Sequence, residues 1–198
     1  YDFAKSSFTR SQVIAMALNM GNDGNLDRLV SGSALWKPAT GGRKITREEL
    51  IQIVSQTLTK EELEAVQEVW DTFAELQPEV MAQAKRLTGR TPELVPPRPI
   101  SFRLADGTLV QLKGGYYPIV YDRLASVKGE ELANMKDALS QVAAASRSQN
   151  TAKGFLEKRA KKVEGLAVTL TLRAAFEGLD AEIHRLAWEE WVVNSGKI

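Results

Sequence analysis

The chain has 198 residues, 43% hydrophobic and 26% charged, the profile of a globular chain of one domain or two small ones. Lysine and arginine number 26 against 25 aspartates and glutamates, so the net charge of +1 argues against a polyelectrolyte partner for the whole molecule, though not against a local basic patch. With no cysteine and a single histidine, His184, the chain excludes disulfides, thiolate nucleophiles, Cys-ligated metals and multi-imidazole zinc sites.

No apolar run approaches the ~20 residues of a membrane span. The chain opens on Tyr1 with no methionine and ends at Ile198 with no cap. It therefore reads as a single helical domain, 1–198, excised from a longer polypeptide, with residues 91–99 the place where it would subdivide.

Thr9-Arg10-Ser11-Gln12 has the form of a capping box, and Val13, Ile14, Ala17 and Leu18 follow at helical spacing. Gly21 is expected to stop that helix in the left-handed conformation. Asn22 to Asn25 read as a turn into a short helix from about Leu26 to Val30, with Leu26, Leu29 and Val30 inward. Loops flank Trp36, a lone anchor.

Two more capping boxes, Thr46-Arg47-Glu48-Glu49 and Thr59-Lys60-Glu61-Glu62, open helices. The first carries Leu50, Ile51 and Val54. The second is expected to open the longest helix, with Leu63, Val66, Trp70, Phe73 and Leu76 on one stripe. Pro78 lies within that pattern and predicts a kink or break near Leu76-Gln77. Val80, Met81, Ala84 and Leu87 then continue the stripe to Gly89.

Thr91 to Pro99 holds four of the seven prolines and reads as an extended connector. Beyond it the apolar period falls to two. A hairpin over about 100–112 with the three-residue loop Ala105-Asp106-Gly107 pairs Phe102 with Val110 and Ile100 with Leu112. That register collects the apolar residues on one face and puts Gly107 at the left-handed bulge position.

Gly114-Gly115-Tyr116-Tyr117-Pro118-Ile119-Val120-Tyr121-Asp122 is expected to be extended and irregular. Glu130 to about Arg147 reads as helix, with Leu132, Met135, Leu139 and Val142 inward. Leu166, Val168, Leu170 and Leu172 alternate as a strand would, or form the extended lead-in to the last helix. That helix is expected from about Arg173 to Val193, with Phe176, Leu179, Ile183, Leu186 and Trp191 as its core face.

The fold class that follows is mainly α: an irregular helical bundle with one β-hairpin and a long C-terminal helix.

Four features invite a chemical reading. His184 lacks a serine or aspartate at a recognisable elbow, so a packed or exposed histidine is preferred to a catalytic one. Nine carboxylates against four basic residues lie between Ile45 and Leu87. They would suit a metal-assisted or glycosidase site, but first-turn positions and placement opposite the apolar stripe favour a solvated acidic face.

Arg147, Lys153, Lys158, Arg159, Lys161 and Lys162 stand against Glu157 alone, a local excess of five positive charges. This segment is a candidate nucleic-acid-binding site, with a solvated connector as the alternative; it would also suit docking on the acidic helices of a neighbouring copy. Gly114, Gly115, Tyr116, Tyr117, Tyr121 and Asp122 match no phosphate-binding loop and are expected to form a structural clamp. No catalytic residue, metal ligand or cofactor is assigned.

Several segments together resemble a known family. They are Ala15-Met16-Ala17-Leu18-Asn19-Met20-Gly21-Asn22-Asp23-Gly24-Asn25, the Trp70-Asp71 helix, Thr88-Gly89-Arg90-Thr91-Pro92 and the Gly114 to Asp122 run. Gly154-Phe155-Leu156-Glu157-Lys158-Arg159 and Ile183-His184-Arg185-Leu186-Ala187 follow in the same order. The set resembles an associated domain of the large polyvalent proteins encoded by phages, prophages and conjugative elements, over roughly Ser11 to Val193.

The resemblance implies a mainly helical domain with no established activity. It would lie beside domains that act on DNA, in proteins that enter the host with phage or plasmid DNA. Arg185 stands where an acidic residue is expected after the histidine.

The resulting expectation is a non-catalytic structural or interaction domain, located in the virion or the bacterial cytoplasm. Its partners would be other domains of the same polypeptide or virion and mobile-element proteins, with self-association open. The alternative is a nucleic-acid-binding module, and a carboxylate-based enzyme ranks third.

Overall fold

Three Thr-x-x-Glu/Gln boxes set the starts of three helices. In the computed structural model, which describes residues 8–32, 36, 44–122 and 167–195, each threonine hydroxyl accepts from the third helical N–H while the Gln or Glu reaches back to the threonine N–H. They open α1 (Arg10–Leu18), α3 (Arg47–Thr57) and α4 (Lys60–Glu75). Between the first two lies α2 (Asp23–Ser31).

The expected break occurs at Leu76. α5 (Gln77–Thr88) begins there with Pro78 in its first turn, where the missing N–H costs nothing, and ends on Gly89 at φ 71°. The stripe that begins at Thr59 is thus two helices, and the longest described element is α6 (Arg173–Ser195) at 23 residues.

β1 (Ile100–Arg103) and β2 (Leu109–Leu112) form the hairpin in the expected register, Phe102 against Val110 and Ile100 against Leu112. Ile100, Phe102, Val110 and Leu112 are buried on one face while Ser101, Arg103, Gln111 and Leu109 are exposed on the other, and Gly107 sits at φ 87° in the bulge. β3 (Tyr121–Asp122) pairs antiparallel with β4 (Ala167–Val168). The described part of the 166–172 stretch, 167–172, thus combines both readings: a two-residue strand, then an extended lead-in to α6. The molecule is mainly α, an irregular helical bundle to which the hairpin and α6 are added.

α1 packs on α3 and α4, the hairpin lies along α3 and α4, and α6 runs against α5. Leu63, Val66, Trp70 and Phe73 of α4 are buried with Met16, Ala17, Leu26, Leu29, Leu50 and Val54. Trp36 is fully buried, donating from Nε1 to the Leu29 carbonyl at 2.8 Å and meeting Phe8 edge-on.

Three expectations are corrected. α1 ends at Leu18, not Gly21: Asn19 caps it and its amide bonds the Ala15 carbonyl, while Gly21 is not in the left-handed region. α2 starts at Asp23 rather than Leu26, because the Asn22 side chain accepts from the Asn25 N–H and makes the supposed turn a first helical turn.

The third correction concerns the core face of α6. Phe176, Ile183 and Trp191 are exposed, Leu179 and Leu186 only partly buried, and Ala174, Ala175 and Glu182 face inward. Small residues let the helix come close at its start, where Gly178 lies against the Pro118 ring. Farther along, polar side chains of α5 hold it. Gln83, fully buried, donates to the Leu186 carbonyl at 3.0 Å and accepts from Arg185 at 2.9 Å. Arg185 also pairs with Glu182, and Arg86 bridges Glu190 and Glu79.

Candidate functional site

Three of the segments that carry the family resemblance, Ala15–Asn25, the helix of Trp70 and Gly114–Tyr117, are far apart in sequence and meet at one place. Thr88–Pro92 and Ile183–Ala187 lie elsewhere, and residues 154–159 are outside the described residues. The corner between α1 and α2 turns at Gly21, whose carbonyl accepts from the Arg98 N–H and the Gly115 N–H, both at 2.8 Å. One carbonyl thereby ties the end of the proline-rich connector and the strand leaving the hairpin to the same corner.

The Asn19-Met20-Gly21-Asn22-Asp23-Gly24-Asn25 run supplies the side-chain half of the joint. Asn22 donates to the Gly115 carbonyl at 3.2 Å; Asn25 donates to the Tyr117 carbonyl at 2.7 Å and to Asn19 Oδ1 at 3.3 Å. All three asparagines are buried. Irregular backbone from Gly114 to Pro118 has no sheet partner, and these amides satisfy carbonyls that would otherwise be buried unpaired.

Trp70 of α4 fills the space behind. Its indole donates to the Leu18 carbonyl at 3.0 Å, so the ring is both packed and bonded. A Cβ on Gly21 would lie 2.5 Å from Trp70 Cζ2, and one on Gly115 would lie 2.7 Å from Trp70 Cγ. The two glycines sandwich the indole between two stretches of bare backbone. Gly114, at φ 81°, could not carry a side chain either: its Cβ would meet the Gly21 carbonyl oxygen at 2.6 Å.

Tyr116 and Tyr117 flank Phe73 edge-to-face, with centroids 5.6 and 6.4 Å away. The Tyr117 hydroxyl donates to the Thr171 carbonyl at 2.7 Å, tying the run to the lead-in of α6. Burial pushes its phenol up to about 12. Tyr121 is half-buried and, with Asp122, makes backbone pairs to Val168 and Ala167.

The clamp residues Gly114, Gly115, Tyr116 and Tyr117 are therefore gathered in one joint, with Tyr121 and Asp122 continuing it into β3. Asn19, Asn22, Asn25, Trp70 and Arg98 complete it. None of these five was singled out as a site residue in the sequence. The readable signal was asparagine at every third position, 19, 22 and 25, across a helix end and the next helix start.

The other candidates are dispersed. Of the nine carboxylates between Ile45 and Leu87, only Glu49 and Glu62 are not exposed, and those two close capping boxes. Hydrogen bonds from Arg10 and from the Thr59 N–H hold the Glu62 carboxyl below its usual range. Among the described residues no group of three or more carboxylates or imidazoles is placed to hold a metal ion.

His184 is exposed, 3.6 Å from Asp180 one turn earlier. Arg98 and Arg47 share Asp23 at 3.2 and 3.7 Å, and Arg47 also pairs with Asp27. Arg147, Lys153, Lys158, Arg159, Lys161 and Lys162, and the helix expected over 130–147, lie outside the described residues. No described helix is long and apolar enough to cross a membrane.

Compared with family models, curated proteins and solved structures, the chain matches none.

Proposed function

We propose that this chain is a non-catalytic structural and interaction domain of a large multidomain protein encoded by a phage or prophage. The observation that carries the reading is where three of the resembling segments go. Ala15–Asn25, Trp70 and Gly114–Tyr117 converge on a closed joint whose amides and hydroxyl are spent on backbone carbonyls. Residues so used specify architecture; chemistry needs polar groups converging on open space. The exposed carboxylates of α3 to α5 supply no such convergence.

The test is crosslinking with mass spectrometry on the full-length polypeptide within its particle, alongside DNA titration of the purified chain. The reading expects crosslinks from this chain to neighbouring domains or virion proteins. DNA binding at about 50 mM salt that falls steeply as salt rises would replace it with a nucleic-acid-binding module acting through residues 147–162. Turnover of a phosphoester or glycoside substrate, lost on changing Glu64, Glu68 or Asp71 to the amide, would replace it with an enzyme.

A further inference from the structure

Among the described residues, α6 turns a row of large apolar side chains outward. On α6, Phe176, Ile183, Trp188 and Trp191 are 74, 55, 58 and 63% exposed. At about 100° per residue, Phe176, Asp180, Ile183, His184, Ala187 and Trp191 share one sector, opposite the face that meets α5. Phe176 and Trp191, ~200 Å² each and exposed by more than half, leave roughly 270 Å² of ring surface in that sector with Ile183 between them, on the order of the few-hundred-Å² patches that are often functional.

The charge on the helix argues about the occupant. α6 carries five carboxylates against two arginines, whereas helices that lie on anionic lipid are rich in lysine and arginine. A lipid surface is therefore disfavoured, and a protein face that is itself apolar is required.

We propose that the occupant is a second copy of this chain, pairing α6 against α6 antiparallel about a two-fold axis beside Ile183 and His184. In that orientation the stripe is self-complementary. Phe176 and Trp191 lie seven or eight residues either side of the axis, so the Phe176 ring of one copy falls on the Trp191 ring of the other.

Asp180 then faces Ala187, one turn from the second copy's His184, so carboxylate meets methyl and imidazole. Arg173 comes beside the second copy's helix C-terminus, where free carbonyls favour a cation. A parallel pairing would instead set Asp180 against Asp180. Phe176, Ile183 and Trp191 of both copies are buried together by this pairing. A domain that binds other proteins can be monomeric, so this pairing goes beyond the function proposed above.

The absence of native cysteine makes the test clean. Under oxidation, His184→Cys, beside the axis, is expected to link to itself. Asn194→Cys is not, since its mate lies about 30 Å away along the helices. A mixture of Asn194→Cys and Arg173→Cys chains is expected to link.

By sedimentation equilibrium the unmodified chain is expected to form dimers in the micromolar range, and Ile183→Asp to weaken them at least about tenfold with unchanged helical circular dichroism. A chain that stays monomeric overturns the pairing. So does self-linking of Asn194→Cys as fast as His184→Cys, or shielding of Trp188 and Trp191 from quenchers in a monomer, which would mean the chain covers this face itself.

Discussion

Gly114→Ala separates the cost of backbone strain from the cost of a lost close approach. Gly107 is the internal control, because both glycines lie at positive φ, 81° and 87°. Around a Cβ on Gly107 there is nothing within 4 Å, whereas one on Gly114 would press on the carbonyls of Arg98 and Gly21. The left-handed conformation costs a non-glycine residue about 1–2 kcal/mol. Alanine recovers about 0.4–1 kcal/mol of that by restricting the unfolded chain.

Gly107→Ala is therefore expected to lose about 1 kcal/mol. Gly114→Ala adds overpacking of about 1–3 kcal/mol against backbone that two hydrogen bonds to Gly21 hold in place, for about 2–4 kcal/mol in all. Urea unfolding followed by tryptophan fluorescence reads both, with Trp70 reporting from the joint itself. If the two variants agree to within about 0.5 kcal/mol, the neighbouring carbonyls are not tightly placed and the argument for the joint fails.

Three further outcomes follow from the same contacts. Asn25→Ala leaves the Tyr117 carbonyl and Asn19 Oδ1 without their donor and is expected to cost about 2–4 kcal/mol in urea unfolding; a loss below about 1 would show the amide to be dispensable. Tyr117 holds its proton up to about pH 12 when folded and loses it near pH 10 when unfolded. Stability from this group is therefore complete below pH ~10 and falls by roughly 2–3 kcal/mol as pH rises to ~12.

In Tyr117→Phe that alkaline loss should shrink, at the expense of the bond to Thr171 at neutral pH; an unchanged alkaline slope would contradict it. Thr46→Ala opens the α3 capping box and is expected to lower stability by about 1 kcal/mol, measured by thermal unfolding, while Thr46→Ser should retain most of it.

Features governed by neighbours in sequence were legible. The three capping boxes, the break before Pro78 and the Gly89 stop all depend on groups within one helical turn. The hairpin register was equally local, because a slip by one residue would have turned Phe102 and Val110 to solvent. The Gly114 to Tyr117 run stands out by its composition, but what it contacts does not.

What is gripped, and which way the last helix faces, was decided by tertiary structure. Gly21 looked like a helix stop and is instead flat backbone under an indole 49 residues away in sequence. Asn22 looked like a turn and caps a helix while bonding Gly115. α6 has apolar residues on more than one side, so its pattern alone could not choose a buried face.

The choice fell to its neighbours. The bundle offers α6 the Pro118 ring at one end and the buried amide of Gln83 with Arg86 at the other, and these fit Gly178, Arg185 and Glu190 better than an aromatic stripe. The near-balance of charge was likewise a cancellation between the acidic helices and the basic 147–162 segment. Sequence determined where each element begins, ends and bends, since those forces act within a turn. Only packing decided which surfaces meet, because burying a polar side chain is favourable only where a partner from a distant segment already waits.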